Sequence, residues 1–440
     1  MYDNNQYSRL WLRPHRGGLT APSTSSSATL PPPSGSGVVD DGPTMTPPAP
    51  SPAAARPRVV LAPDGFKGSV SSGEVAAALC EGILSTCPDA DVRTVPVADG
   101  GDGTVEAVLA AGWQPRTARV TGPWGDPHAA TWARSTDGGT ALLELAAASG
   151  MSLTGQPSRP EDGPTRALTA TSTGTGELVA AALDAGCRQL IVGVGGSACS
   201  DGGAGLLTAL GARVLDGDGH PVPPGVPGLE QAAQLDLDPA RERLTATRLT
   251  MAADVTNPLL GPTGAAAVYG PQKGADAVTV ARTDAALARW STLLTDAGCA
   301  PDLAERAGSG AAGGVGLALL ALGAQYASGI ELLLDLAGLD DELAGADLVV
   351  TGEGRLDAQT LHGKAPAGVL ARARVAGVPV LAVCGTSELT ASDVADAGFA
   401  GVRTLREVEP DLQRCLDDPA PLLARIGADL GRGLRGRPTD

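Results

Sequence analysis

Acidic side chains recur in glycine-containing loops of this sequence, most of them just after a short apolar run. Several acids close together repel one another, and a divalent cation or a protonated neighbour would relieve that repulsion. Magnesium is the natural candidate, because it takes oxygen ligands, uses one or two carboxylates and completes its shell with water and phosphate oxygens. The acids in these loops are Asp64, Asp99, Asp102, Asp201, Asp254, Glu353 and Asp357.

Glycine and small residues fill positions 195–203, which read GGSACSDGG and precede a predicted helix that begins at Ala204. Glycines let backbone N–H groups approach an anion closely, and the positive end of a helix attracts the same charge. This segment is therefore the best candidate for a phosphate-binding loop. A tight turn without room for side chains is the alternative interpretation.

Basic side chains stand in similar loops, since Lys67, Lys273 and Lys364 each have a neighbouring glycine and Arg355 follows Gly354. Such cations could face an anionic ligand, and ordinary surface lysines are the alternative. Acids for a metal, a loop for phosphate and cations for an anion together indicate phosphoryl transfer, in which positioning and charge neutralisation carry most of the catalysis.

The familiar nucleotide signatures are absent from the sequence. Lys364 is followed by Ala365 and not by Ser or Thr, so there is no Walker A motif, and there is no H-R-D catalytic loop. Residues 308–313 match G-x-G-x-x-G, but residues 302–307 before them look helical, so the strand that a dinucleotide fingerprint requires is missing. The histidines complete neither a metal quartet nor a Ser-His-Asp set.

The elements that position these loops follow a strand–loop–helix order. Residues 58–63 form an apolar run, and a helix is predicted over 72–84, with Ser71 and Glu74 at capping-box spacing. This order predicts an α/β fold with a largely parallel sheet. The loops would leave the carboxyl ends of the strands and could line one cleft. Further strands are predicted at 92–97, 189–194, 249–253 and 347–351.

Length and composition exclude several classes of protein. The 440 residues can bury more than one core, and a net charge of −17 makes nucleic acid an unfavourable partner. Seven cysteines without a C-x-x-C pair favour a reducing cytoplasm over a disulfide framework or a zinc site. We expect no membrane segment and no secretion signal, because no run of about 18 uncharged apolar residues occurs.

The first 56 residues are rich in proline and serine, and we expect a disordered tail there. A start of translation at Met45, which lies in frame, is the alternative reading of this segment. In either case we expect no catalysis from this tail.

Seven motifs, in this order, resemble the type 1 glycerate kinase family, over a match of about residues 58 to 430. They are APDGFKGS at 62–69, VADGGDGT at 97–104, GGS at 195–197 with DGG at 201–203, DVTNPL at 254–259, GPQKG at 270–274, GAAGG at 310–314 and TGEGRLD at 351–357. The chain departs from the family pattern at Gly65, where Ser is common, and at Cys199 and Ser200, where Thr and Asn are common.

The resemblance implies two α/β domains, a flavodoxin-like parallel-sheet domain built from both chain ends and a second mixed α/β domain inserted into it. We expect the first at 57–115 and 300–435 and the second at 116–299, after the tail at 1–56. The resemblance also implies an ATP-dependent, magnesium-requiring enzyme that phosphorylates D-glycerate, usually at the 2-hydroxyl. The oligomeric state is left open, with a homodimer as one option.

Roles for individual residues combine the resemblance with the chemistry of each side chain. A carboxylate must accept the proton of the attacking hydroxyl, and Asp201 or Asp254 could do so. The full set comprises catalytic residues Asp201, Asp254, Lys67 and Lys273; substrate-binding residues Asp64, Lys67, Arg355 and Asn257; nucleotide-binding residues Gly195, Gly196, Ser197, Gly202, Gly203 and Lys364; and magnesium ligands Asp99, Glu353 and Asp357.

Three alternatives remain at this point. The enzyme could form 3-phosphoglycerate instead, because the two hydroxyls of glycerate differ only in their orientation in the cleft. A magnesium-dependent phosphatase or mutase acting on phosphoglycerate would need the same acids and loops. A regulatory module that senses a small phosphorylated acid is the third, and so many acids at strand ends argue against it.

Overall fold

The computed structural model describes residues 56–66, 68–98, 101, 103–154, 162–358, 360–361 and 364–435. Residues 1–55 of the tail predicted at 1–56 lie outside these ranges. The α/β fold class is confirmed: two sheets carry the described part of the chain, and helices cover them.

The first sheet has five strands, all parallel, in the order β2-β1-β11-β13-β15. Numbered along the chain within the sheet, this is the 2-1-3-4-5 order of flavodoxin-like folds. Strands from both chain ends build it, and its central strands are almost entirely buried, as expected for a parallel sheet covered on both faces. The strands are β1 Arg58–Pro63, β2 Asp91–Thr94, β11 Leu348–Gly352, β13 Val380–Cys384 and β15 Gly401–Thr404.

The second sheet has six strands in the order β10-β9-β6-β5-β4-β3. Strands β10, β9, β6 and β5 are parallel, and β4 and β3 extend the sheet in antiparallel fashion. The strands are β3 Gln114–Thr121, β4 Pro127–Arg134, β5 Thr140–Glu144, β6 Gln189–Gly193, β9 Arg248–Ala252 and β10 Gln325–Ala327. Two small pairs, β7 Arg213–Leu215 with β8 Gln234–Asp236 and β12 Arg355–Leu356 with β14 Thr386–Ser387, complete the strands of the described chain.

The helices in the first half of the chain begin with α1, whose predicted capping box is present. The Ser71 side chain accepts from the Glu74 N–H, and the Glu74 carboxylate accepts from the Ser71 N–H. These helices are α1 Ser72–Thr86, α2 Thr104–Ala110, α3 Ala146–Ser149, α4 Gly163–Thr169, α5 Thr173–Asp184, α6 Ala204–Ala209, α7 Val226–Gln231, α8 Asp238–Arg243 and α9 Ala265–Tyr269.

The helices in the second half include α11, whose first turn is interrupted by left-handed residues at 312–314. They are α10 Ala277–Asp296, α11 Ala311–Ala321, α12 Gly329–Leu336, α13 Leu339–Leu343, α14 Ala365–Ala376, α15 Ala391–Ala397, α16 Leu405–Val408, α17 Leu412–Asp417 and α18 Ala420–Arg435. None of the helices within the described ranges is both long and apolar enough to cross a membrane.

Two connections join the sheets, and their helices α2 and α12 share one apolar cluster with the second sheet. Val105 and Val108 of α2 and Leu333 of α12 lie in this cluster with Leu142 and Ile191. Strand β10 at 325–327 belongs to the second sheet, beyond the boundary expected at residue 299. The division of the chain into domains stays a prediction.

Candidate active site

A cleft of about 710 Å³ lies where loops from the two sheets face each other. The first sheet contributes residues 64–66, 68–73 and 96–98 after strands β1 and β2. The second sheet contributes residues 194–196 and 253–255 after β6 and β9. The cleft therefore lies beyond the carboxyl ends of parallel strands, where α/β sheets bind ligands. The structure thus brings loops that are distant in sequence to one place.

Among the described residues, three carboxylates line the cleft: Asp64, Glu106 and Asp254. The Asp64 carboxylate accepts from the Gly65 N–H at 2.7 Å, and the exposed Asp254 accepts from the N–H of Gly329 at 2.9 Å and the hydroxyl of Ser328 at 3.1 Å. Asp254 is therefore held at the start of helix α12 while it also faces the cleft. Glu106, on α2, is not among the predicted residues.

The glycine-rich segment 195–203 divides into an open part and a buried part. Gly195 and Gly196 line the cleft, and Gly196 has a φ of +70°, a conformation that favours glycine. Residues 197–203 are buried. Of the predicted nucleotide-binding glycines, the first two are thus placed where a phosphate could reach backbone N–H groups.

Gly202 and Gly203 have a packing reason to be glycine. A Cβ on Gly202 would lie 2.5 Å from the Trp290 ring, and one on Gly203 would lie 2.3 Å from the Ala318 methyl group. The Trp290 indole N–H also donates to the Gly202 carbonyl at 2.9 Å. The tight-turn interpretation therefore describes these two glycines better than phosphate contact does.

We expect Gly202→Ala to lower the free energy of unfolding by about 2–3 kcal/mol, because the new methyl group overlaps Trp290 and φ is +61°. Gly186→Ala is the matched control: φ is +90° there, but nothing lies within 4 Å of the new Cβ, so a loss of about 1 kcal/mol is expected. Urea unfolding of both variants measures the difference. Equal losses would contradict the packing account of Gly202.

Asp201 is completely buried, and its carboxylate joins two segments, 171–172 and 203–205. It accepts from the Ser172 N–H at 2.8 Å, the Ser172 hydroxyl at 2.9 Å and the Gly203 N–H at 3.1 Å, with longer bonds from Thr171 and Gly205. These donors fix the glycine-rich segment against the start of helix α5. In this arrangement the carboxylate has no surface for a substrate.

Lys273 lies beneath the same segment with 9% of its surface exposed. Its ammonium donates to the Ser197 hydroxyl at 2.9 Å and to the Cys199 carbonyl at 2.6 Å. Burial lowers the pKa of the lysine, and the nearby Cys199 and Asp201 act in the opposite direction. Lys273 and the predicted nucleotide-binding Ser197 are therefore joined to each other below the glycines of the cleft.

Cys199, one of the departures from the family pattern, is buried and has its sulfur 3.8 Å from the Ala312 carbonyl. Burial, followed by the charge of Asp201, raises the pKa of this thiol, so it stays protonated. The side chain is not part of the cleft lining. We therefore expect Cys199→Thr to keep kcat within about twofold of the parent protein, a change of about 0.4 kcal/mol in the activation free energy, because the side chain does not reach the cleft. A tenfold loss in steady-state assays would contradict this placement.

A second charged group follows β11, and it contains predicted metal and nucleotide ligands. The buried Thr360 hydroxyl donates to Glu353, the Thr360 N–H donates to Asp357 at 3.2 Å, and the Lys364 ammonium lies 3.5 Å from Glu353. The Glu353 side chain is 12% exposed. The Asp64 N–H donates to the Gly352 carbonyl at 2.8 Å, which connects this group to the cleft loop after β1.

Arg355 and Asn257, both predicted to bind substrate, have protein partners. Arg355 is 62% exposed and donates to Glu388 at 2.5 Å, with Asp357 at 3.8 Å. The Asn257 amide donates to the Thr263 carbonyl at 2.8 Å, and its oxygen accepts from the Tyr269 hydroxyl at 2.6 Å. Neither belongs to the described lining of the cleft.

Three of the predicted acids and cations, Lys67, Asp99 and Asp102, lie outside the described residues. Within the described ranges, one set of His and acidic side chains has metal-binding geometry: Asp216, Asp218 and His220. It lies between β7 and β8, away from the cleft lining.

Sequence reasoning missed Glu144, the last residue of β5, whose carboxylate accepts from the Val105 N–H at 2.5 Å. The signal that identified the other acids could have found it. Residues 140–144 read TALLE, in which an acid follows three apolar residues, although no glycine adjoins it as it does most of the other acids.

Fold and site together define a class. That class is the small-molecule kinases. Its parts are a flavodoxin-like sheet, a second α/β sheet, and a cleft between them that contains acids and a glycine loop. The sequence profile of the glycerate kinase family matches residues 59–435. The chain belongs to the glycerate kinase family and is an enzyme of that kind, which confirms the resemblance.

Individual relatives agree with this assignment. The chain is 40% identical to the glycerate kinase of Bacillus subtilis strain 168 over 380 residues, which cover 86% of this chain and 98% of the relative. It is 40% identical to the glycerate 2-kinase of Escherichia coli K12, over 86% of this chain and 99% of the relative. A crystal structure of a glycerate kinase 2 from Salmonella typhimurium LT2 superposes with a TM-score of 0.72 at 41% identity, over 87% and 99% of the two chains.

Proposed function

We propose that this enzyme transfers the terminal phosphate of ATP to the 2-hydroxyl of D-glycerate, giving 2-phosphoglycerate with the help of magnesium. One observation carries the proposal: an exposed carboxylate, Asp254, and the two glycines of the phosphate-loop candidate, Gly195 and Gly196, line the same cleft. The similarity to an Escherichia coli glycerate 2-kinase favours the 2-hydroxyl over the 3-hydroxyl.

Asp254 is the stronger candidate for the carboxylate that accepts the hydroxyl proton. Its side chain is exposed in the cleft, and its bonds to the start of α12 fix its position. Asp201 would act through the loop instead, because its carboxylate is fully buried and accepts from three backbone N–H groups. Asp201 is therefore proposed as a positioning residue and Asp254 as the general base.

The phosphates of ATP would lie against Gly195 and Gly196, whose backbone can approach an anion closely. Ser197 and Lys273 would support this loop from below through their hydrogen bond. Lys364 is proposed to reach a phosphate from the neighbouring group after β11, where Glu353 is its present partner. Lys67 and Arg355 remain the proposed cations for the glycerate carboxylate. Asp64 and Asn257 remain the other proposed substrate-binding residues, and Asp64 is in the same loop as Lys67 in the sequence.

The residues present fit a magnesium ion by their donor chemistry. The described lining of the cleft holds three carboxylates, and phosphate oxygens would bring further negative charge, which a divalent cation would offset. Glu353 and Asp357, which both contact Thr360, are proposed as ligands together with Asp99. When bound, the ion would neutralise charge on the phosphates and hold them in place.

The cytoplasm is the proposed location, because all seven cysteines are unpaired, as expected under reducing conditions. The homodimer stays a prediction.

The test is a coupled assay for ADP with ATP, magnesium and D-glycerate, and with glycolate, lactate and tartrate as analogues. The proposal expects ADP formation that depends on glycerate and on magnesium. Phosphate release from phosphoglycerate without nucleotide would instead support the phosphatase or mutase. Phosphorus NMR of the product then distinguishes 2-phosphoglycerate from 3-phosphoglycerate.

A further inference from the structure

Glu144 joins the second sheet to the helix that leaves the first sheet. It is the last residue of β5 and lies in register with Gly193 at the end of β6. Its carboxylate accepts from the N–H of Val105 at 2.5 Å, a short bond between groups that are 39 positions apart in sequence. The contact is partly buried, so water screens it less than a surface bond.

Val105 belongs to the first turn of α2, where backbone N–H groups have no partner within the helix. The loop just before this helix contributes Ala98, Gly101 and Gly103 to the cleft lining. A carboxylate that fixes Val105 therefore also fixes the end of this loop. Gly103 lies just before the helix and has a φ of +93°, so the backbone turns sharply next to the fixed Val105.

Asp254 makes the equivalent contact on the other connection between the sheets. Asp254 follows the last residue of β9, Ala252, by two positions, and its carboxylate accepts from the Gly329 N–H at the start of α12. Helices α2 and α12 then pack together on the second sheet through the apolar cluster that contains Val105 and Leu333. Both connections are thus held by an acid at the carboxyl end of a second-sheet strand.

We propose that Glu144 is a positioning residue for phosphoryl transfer: through the Val105 N–H it holds the start of α2, where Gly103 and Glu106 line the cleft. This rests on the proposed function, because the cleft that the start of α2 borders is the proposed site of phosphoryl transfer. Glu144 acts through backbone and touches neither substrate nor metal in this role. Its loss leaves the sheets folded and lets the start of α2 move.

The test compares Glu144→Ala with Glu144→Gln, which keeps an acceptor oxygen. The matched control is Glu177→Ala, because Glu177 also accepts a backbone N–H across elements, from Thr121 at 2.6 Å, but does not border the cleft. For Glu144→Ala we expect kcat to fall roughly tenfold or more, with partial recovery in Glu144→Gln. Hydrogen exchange over residues 101–108 should accelerate in Glu144→Ala, while Glu177→Ala should change only the unfolding temperature.

Two readouts separate the outcomes. An unchanged kcat together with unchanged exchange over 101–108 in Glu144→Ala would overturn the proposal while leaving the proposed function intact. Equal losses of kcat in Glu144→Ala and Glu177→Ala would overturn it as well, because they would indicate a general effect on the fold. If the parent enzyme does not phosphorylate glycerate, the proposed function fails, and the exchange comparison still tests whether Glu144 positions the start of α2.

Discussion

Replacing Asp254 by asparagine is expected to lower kcat for glycerate phosphorylation by about 10²- to 10⁴-fold, because asparagine cannot accept the proton of the attacking hydroxyl. The amide oxygen of asparagine can still accept from the Gly329 N–H, so the start of α12 keeps its partner. The unfolding temperature should therefore change little. Steady-state kinetics with ATP, magnesium and D-glycerate measure the effect.

Asp276→Asn is the matched control for this variant. Asp276 also accepts a backbone N–H at a helix start, from Thr279 at 2.8 Å, but it belongs to α10 and not to the cleft lining. Its kcat should equal that of the parent enzyme. A kcat for Asp254→Asn close to that of the parent enzyme would exclude Asp254 as the general base.

Replacing Asp201 by alanine is expected to lower the free energy of unfolding by about 3–5 kcal/mol, the usual cost of removing one partner from a buried charged network. The change leaves the N–H groups of Ser172, Gly203 and Gly205 without their acceptor, and it removes the negative charge near the buried Lys273. Urea unfolding measures the loss.

Asp201→Asn keeps the size of the side chain and one acceptor oxygen, so we expect it to lose less free energy of unfolding than Asp201→Ala. We expect this variant to fold even if Asp201→Ala does not. Asp276→Ala, which removes an exposed acceptor at a helix start, provides the scale of about 1 kcal/mol for a single cap. Similar stabilities for Asp201→Ala and Asp276→Ala would contradict the proposed role of Asp201 as the anchor of the glycine-rich segment.

The position of the cleft could be predicted from the sequence, because it follows from the geometry of parallel sheets. Apolar runs at 58–63, 189–194 and 249–253 predicted β1, β6 and β9 to within one residue, and a loop after each one borders the cleft. The capping box at Ser71 was likewise predictable, because it depends only on local spacing.

The direction of each side chain could not be predicted in the same way. Asp201 and Asp254 both stand in loops after strands, yet the first is buried beneath Ser172 and the second faces the cleft. Gly196 and Gly202 are alike in sequence, but tertiary packing against Trp290 decides the role of the second. Such distinctions depend on contacts between segments far apart in the chain, which local patterns do not contain.

The antiparallel strands β3 and β4 were also missing from the predicted elements. Strand β3 lies at the edge of the second sheet and β4 lies next to it. Most positions of β3 are exposed, so no continuous apolar run marks it in the sequence.

Hydrogen exchange on the parent enzyme tests most directly whether ATP and glycerate bind in this cleft. A non-hydrolysable ATP analogue with magnesium and D-glycerate should slow exchange over residues 64–73, 194–203 and 253–257, and should leave residues 213–236 around β7 and β8 unchanged. Protection confined to segments outside the cleft, with none over 194–203 or 253–257, would contradict the account.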